Sequence, residues 1–141
     1  MAYFSDLSPY AYGHGSHPEV VHVGWLDNAH AYATGTVDDG LVEKMRRLAS
    51  KPVELYRGFH ICELCIEPPN LVKSCLPNRA VLDPDCSWVK WIDGRKSNGE
   101  IRVSRGGTTF AAPLLIVHYV EAHRYLPPED FLKAVEEAPT P

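Results

Sequence analysis

The first third of the chain contains a continuous apolar run followed by an apolar stripe at helical spacing. Residues 20–26 crowd β-branched and aromatic side chains into a strand-length run, which predicts a core strand. The stripe that follows consists of Leu41, Val42, Met45 and Leu48. Val42, Met45 and Leu48 follow Leu41 by one, four and seven positions, a spacing that places all four on one side of a helix. Asp38 and Asp39 stand shortly before this stripe. This pattern predicts an amphipathic helix that is capped by aspartate and ends before Pro52.

Prolines interrupt the chain repeatedly after this helix, at Pro52, Pro68, Pro69, Pro77 and Pro84. Each proline lacks a backbone donor and fixes its own φ, so long helices cannot form between residues 51 and 84. A segment with so little regular hydrogen bonding needs another interaction to hold it. We therefore expect an irregular segment here that is fixed by something other than its own backbone.

Three strand-like runs come next, at residues 87–92, 100–103 and 108–111. Glycine-containing turns at residues 93–99 and 105–107 separate them. Strand, turn, strand, turn, strand is the pattern of an antiparallel meander.

Two further helices are predicted in the last quarter of the chain. Pro113 occupies a first-turn position ahead of residues 114–123, which are apolar nearly all round and therefore predict a buried helix. The last helix begins after the pair Pro127-Pro128, and its first turn is acidic, with Glu129 and Asp130. Its apolar side is formed by Phe131, Val135 and Ala138.

Together these elements predict an α+β domain. We expect a small antiparallel sheet, arranged as a meander and covered by about three helices, with a zinc-knuckle-like irregular segment beside it. Residues 1–141 are predicted to form a single domain, in which residues 138–141 are a frayed tail. A chain of 141 residues can bury roughly 68% of its unfolded surface, so it does not need crosslinks merely to fold.

Charge and composition narrow the range of partners and compartments. The chain carries 14 basic and 18 acidic side chains, and this mild acidity disfavours nucleic-acid backbones and anionic membranes, which both attract basic faces. Residues 1–7 lack the basic start and apolar core of a secretory signal, and no apolar stretch approaches the roughly 20 residues of a membrane helix. We therefore expect a cytoplasmic protein that binds neither nucleic acid nor membrane. Its four cysteines are then thiols or metal ligands rather than disulfides.

The sharpest chemical signal is the pair Cys62 and Cys65. Two thiols three positions apart in a tight turn can point at one ion, as in the C-x2-C knuckles that hold half of a tetrahedral zinc site. His118 and His123 offer the second half, because their gap falls within the H-x3-5-H range of zinc sites. Residues five apart lie about 140° around an ideal helix, so these two rings converge only if the helix tightens or ends between them.

His60 competes for the same ion. In an extended approach to the turn, His60 and Cys62 project to the same side, so His60 can complete a site with only one of the two helix histidines. Spacing alone does not separate these ligand sets. An ion held by either set would attach the proline-rich segment to the buried helix, so we predict a structural Zn²⁺ as the cofactor.

Two other interpretations of these motifs fit less well. A redox pair needs a thiolate stabilised by a cation or a helix N-terminus, and Glu63 would oppose such a thiolate. His17 and Glu19, taken with the C-x2-C pair, resemble the signature of zinc-dependent nucleobase deaminases. Both deaminase motifs begin helices, however, whereas Glu19 leads into the predicted strand. Cys75 and Cys86 lack the knuckle spacing, and we interpret them as small buried side chains.

Four segments of the chain together resemble a family of small uncharacterised bacterial proteins. These segments are residues 3–10 (YFSDLSPY), 23–27 (VGWLD), 57–65 (RGFHICELC) and 111–120 (AAPLLIVHYV). The resemblance covers most of the chain. It implies a bacterial domain, but it brings no assigned activity, and no catalytic residue can be carried over from it.

These observations predict a non-enzymatic binding or regulatory module that is stabilised by a structural zinc. Four protein ligands would close the coordination shell and leave no position for substrate or water. The first alternative is that this compact, acidic protein is an immunity or inhibitor protein that neutralises a basic toxin through an aromatic-lined face. The second is a zinc-dependent hydrolase or deaminase in which His60, Cys62 and Cys65 bind the metal and Glu63 or Glu19 is the base.

Overall fold

The computed structural model describes residues 3–11, 17–55, 60–66 and 87–140, and these residues form six strands and four helices. The strands are β1 (Pro9–Tyr10), β2 (His17–His22), β3 (His60–Ile61), β4 (Lys96–Ser97), β5 (Glu100–Arg105) and β6 (Thr108–Pro113). The helices are α1 (Asp39–Ala49), α2 (Ser87–Ile92), α3 (Ile116–His123) and α4 (Glu129–Glu137). An α+β fold is therefore confirmed.

The main sheet has four strands in the order β1-β2-β6-β5. Strands β5 and β6 form an antiparallel hairpin around Gly106 and Gly107, whose φ angles of 59° and 81° suit the two positive-φ positions of a type I′ turn. Strand β2 pairs with β6 in parallel, through the register Val21 to Phe110. The sheet is therefore mixed, and the predicted all-antiparallel meander is wrong because its third partner comes from the N-terminal part of the chain.

The run at residues 87–92 is helix α2 and not the first strand of the meander. Its sequence, SWVKWI, has apolar residues at spacings of three and four, which fit a helix as well as a short strand. Gly94, which follows the helix, has a φ of +77°, and the N–H of Arg95 donates to the carbonyl oxygen of Ile92. A glycine with positive φ just after the last turn is a common helix stop, so the glycine ends a helix here.

The other predicted elements are present with shifted boundaries. Helix α1 begins after Asp38, whose carboxylate accepts from the N–H of Gly40, as its predicted cap should. Strand β2 spans residues 17–22 and so ends earlier than the apolar run that predicted it. Pro113 is the last residue of β6, and α3 starts only at Ile116.

One face of the sheet packs on the helices and forms the main core. Ile101, Val103 and Phe110 from β5 and β6 lie in one buried cluster with residues from α1, α3 and α4, among them Met45 and Phe131. Alternate residues of a strand point to opposite faces, so Glu100, Arg102 and Ala111 belong to the other face. There Ala111 is buried together with Tyr10 and Val20.

Two short pairings involve the segments that flank residues 56–59, one with the main sheet and one apart from it. Val53 forms an isolated antiparallel bridge with Glu100 at the start of β5. Strands β3 and β4 form a separate two-stranded sheet in which His60 pairs with Ser97. Most of the proline-rich segment, together with Cys75 and Cys86, lies outside the described residues. Across the part of the chain that the structure describes, none of the helices combines the length and apolar character needed to cross a bilayer.

Candidate metal centre

Two cysteines and two histidines meet between the turn after β3 and the end of α3. The sulfur of Cys65 lies 3.2 Å from Nε2 of His118 and 3.4 Å from Nε2 of His123. The sulfur of Cys62 lies 3.4 Å from the same nitrogen of His123. One ligand atom from each of the four residues lies within 4.8 Å of every other. The structure thus brings together four of the residues that the sequence nominated.

The cysteine side of the centre is a tight turn anchored to the chain near β4. The N–H of Cys62 donates to the carbonyl oxygen of Arg95 at 2.7 Å, which fixes the start of the turn. The backbone N–H groups of Leu64 and Cys65 then donate to the sulfur of Cys62. N–H groups that point at a sulfur stabilise its thiolate form, which is the form that binds metals.

The histidine side of the centre is α3, in which His118 lies in the first turn and His123 is the last residue. The rings of His118 and His123 are 5.1 Å apart between centroids and meet edge to face. The N–H groups of Arg124 and Tyr125 both donate to the carbonyl oxygen of Tyr119, five and six residues earlier. Each of these two hydrogen bonds closes a wider backbone loop than the i→i−4 bonds of an α-helix do. Of the two arrangements considered from the sequence, a tightened helix or one that ends between the histidines, neither is present: α3 ends at His123 and widens as it ends, which brings two residues five apart closer to one side.

Burial favours the neutral forms of Cys62, His118 and His123 when no metal is bound. It raises the pKa of the Cys62 thiol, an effect that the N–H groups of Leu64 and Cys65 oppose. Burial also lowers the pKa of His118 and of His123, and the pKa of His118 is lowered further by the neighbouring His123. Both imidazoles are therefore neutral near pH 7 and keep a lone pair that can bind a metal.

The donor set fits a tetrahedral ion of the size of Zn²⁺. Zn–S bonds of about 2.3 Å and Zn–N bonds of about 2.0–2.1 Å at tetrahedral angles require S···N separations of roughly 3.5 Å. The three S···N distances of 3.2–3.4 Å lie close to that value. Two thiolates and two neutral imidazoles would also balance the two positive charges of the ion.

His60 lies outside this group of four. Its ring meets the indole of Trp25 edge to face, with centroids 6.2 Å apart, on the strand that leads into the turn. Glu19 lies within β2, one residue before the predicted strand, and it is not among the four ligand residues. Among the described residues, the structure therefore groups Cys62 and Cys65 with both helix histidines rather than with His60 or Glu19.

Two residues that support the centre through backbone contacts were not identified from the sequence. Arg95 supplies the carbonyl that anchors Cys62, and the hydroxyl of Tyr32 donates to the carbonyl oxygen of His123 at 3.1 Å. Neither contact has a sequence signal, because a carbonyl oxygen is common to every residue and Tyr32 is 91 residues from its partner. The glycine turn that contains Arg95 was predicted, but as a link between strands.

Comparison with known proteins identifies a family without adding an activity. No curated protein and no solved structure shows a significant match to the chain. A family model described as a domain of unknown function, DUF7919, matches residues 2–136. This match covers nearly all of the chain, including the four residues of the metal centre. The protein therefore belongs to the DUF7919 family.

Proposed function

We propose that this protein is a non-enzymatic binding module in which Cys62, Cys65, His118 and His123 hold a structural Zn²⁺. The convergence of four donors within 4.8 Å is the observation that supports the proposal. Sulfur and imidazole donors in a tetrahedral set suit zinc, whereas calcium and magnesium prefer oxygen. Metal identity is thus inferred from donor chemistry and geometry together.

The number of donors favours a structural role over a catalytic one. Catalytic zinc sites usually have three protein ligands and keep one position for water or substrate. Here all four tetrahedral positions can be filled by side chains of the chain itself. A hydrolase or deaminase would need one of these four residues to move away from the ion.

A zinc ion at this site would connect distant parts of the chain. Cys65 and His118 are separated by 52 intervening residues, and the segment 60–66 has only the two-residue pairing of β3 with β4 as regular structure. Closing a long loop with a metal stabilises the fold chiefly by restricting the unfolded chain. The ion would therefore fix the cysteine turn on α3.

The binding role is proposed from the net acidic charge of the chain. With a net charge of −4, the protein complements a basic protein partner better than a nucleic acid or an anionic membrane. A basic toxin is one such partner, which would make this chain an immunity protein. Complex formation with a basic protein, measured by its decline as salt is added, tests this part separately from the metal.

Elemental analysis of the untagged protein tests the metal. We expect about one zinc per chain, and chelation should lower the unfolding temperature. His123→Ala should lose the ion, whereas His30→Ala, at an exposed histidine near Asp27, should retain it. A metal-free protein whose stability does not change with added zinc would refute the proposal.

A further inference from the structure

A regular α-helix would not direct both His118 and His123 toward one metal ion. His118 and His123 are five residues apart, which is about 140° around a regular α-helix. Their Nε2 atoms nevertheless lie 3.2 Å and 3.4 Å from the single sulfur of Cys65. Some contact outside the ligand set must hold His123 in the widened last turn.

The two prolines after the helix remove the usual donors for its last carbonyl groups. In a continuing α-helix, the carbonyl oxygens of His123 and Arg124 would accept from residues 127 and 128. Those positions are Pro127 and Pro128, which have no N–H group. Carbonyl groups at a helix end need another donor, which a different part of the chain or water can supply.

Residues 32–35 supply the replacement donors. The hydroxyl of Tyr32 donates to the carbonyl oxygen of His123 at 3.1 Å, and the N–H of Gly35 donates to that of Arg124 at 3.0 Å. In return, the N–H of Leu126 donates to the carbonyl oxygen of Ala33 at 2.9 Å. These three hydrogen bonds fix the backbone of His123, Arg124 and Leu126 against residues 32–35.

Arg124 itself has a backbone conformation that depends on such support. Its φ of 55° lies in the left-handed region, where residues other than glycine, asparagine and aspartate are disfavoured. This conformation turns the chain out of the helix directly after His123. The bonds from residues 32–35 hold this turn together with those that the N–H groups of Arg124 and Tyr125 donate to the carbonyl oxygen of Tyr119.

We propose that Tyr32 is a positioning residue for the metal centre, which it serves by holding the backbone of His123 in the widened last turn of α3. The inference rests on the proposed metal site. It predicts that the histidine half of the site is arranged by the fold before metal binds. Metal affinity should then depend on a hydroxyl that does not touch the metal.

The test compares Tyr32→Phe with Tyr10→Phe. Both substitutions delete one hydroxyl that donates to a buried or part-buried oxygen, but Tyr10 bonds to Glu100 on the opposite face of the sheet. Zn²⁺ affinity is measured by competition with a chelator, and Co²⁺ binding is followed by its visible absorption band. We expect Tyr32→Phe to weaken Zn²⁺ binding about 3- to 10-fold and to alter the Co²⁺ band, because one hydrogen bond is lost. Tyr10→Phe should lower the unfolding temperature without either change.

A second variant keeps the proposal falsifiable if Tyr32→Phe does not fold. Arg124→Val places a β-branched residue at positive φ and should also weaken Zn²⁺ binding, whereas Arg124→Gly favours the same backbone and should bind at least as tightly as the natural chain.

If the natural chain binds no metal, both the function and this inference fail. If it binds metal and folded Tyr32→Phe matches it, or if Tyr10→Phe is equally impaired, only the positioning role fails.

Discussion

The hydroxyl of Tyr10, on one edge strand of the main sheet, donates a 2.6 Å hydrogen bond to the carboxylate of Glu100 on the opposite edge strand. The small side chain of Ala111, on the strand β6 between them, is buried against Tyr10. Glu100 also accepts from Nε of Arg102 at 3.0 Å, and this guanidinium lies over the Tyr10 ring. A fully buried carboxylate is therefore bonded to both a hydroxyl and a cation.

Removing Glu100 should be costly because it leaves the guanidinium of Arg102 without its carboxylate partner. We expect Glu100→Ala to lower the free energy of unfolding by about 3 kcal/mol, since breaking a buried pair leaves an uncompensated charge. Tyr10→Phe should lower it by about 1 kcal/mol, the contribution of one hydrogen bond. Urea unfolding measures both values. A change below 1 kcal/mol for Glu100→Ala would show that the pair contributes little.

His22 should make the stability of the fold sensitive to mild acid. Its ring is fully buried and stacked on Phe4, its Nε2 accepts from the N–H of Ala11, and burial lowers its pKa from 6.5 to about 4. A lowered folded pKa means that the unfolded state takes up the proton first, so stability is lost as the pH falls from about 6.5 to 4. The loss attributable to this group should reach about 3 kcal/mol.

Comparison with His22→Gln separates this effect from other titrating groups. Glutamine can still accept from the N–H of Ala11, but it does not titrate. We expect the free energies of unfolding of the two proteins, measured with chelator present, to converge as the pH approaches 4. Parallel curves between pH 7 and pH 4 would contradict the assignment to His22.

Metal binding should release protons from the thiols. Burial raises the pKa of Cys62, so its thiol is protonated near pH 7 until a metal displaces the proton. We expect at least one proton to be released per Zn²⁺, from the Cys62 thiol. Calorimetric titration in buffers with different ionisation enthalpies gives this number directly. A value near zero would mean that the cysteines do not bind the ion as thiolates.

Loss of one ligand should expose the middle of the chain to proteases. Cys65→Ser removes a donor that lies near both histidines, so the cysteine turn would no longer be fixed to α3. We expect faster cleavage between residues 51 and 85 by limited proteolysis, because local opening determines protease access. Chelator should have the same effect on the natural chain and little on the variant. Unchanged digestion would count against a structural metal.

Local sequence signals predicted several elements well. Asp38 and the apolar stripe after it placed α1, and Gly106 with Gly107 placed the β5–β6 turn, because capping and positive φ are properties of a few neighbouring residues. The helix at residues 87–92 was missed because apolar spacings of three and four occur in a six-residue strand as well. The parallel pairing of β2 with β6 was missed because it joins residues almost 90 positions apart.

The sequence by itself determined which residues could bind a metal and that they belong to an α+β fold, because thiols, imidazoles and hydrophobic periodicity are written in residue types and short spacings. Only the tertiary structure decided that Cys62 and Cys65 meet both His118 and His123 and leave His60 against Trp25. This grouping of ligands depends on the widened end of α3, where Tyr32 bonds to His123, 91 residues further along the chain. Such long-range contacts are fixed by packing and have no counterpart in local spacing.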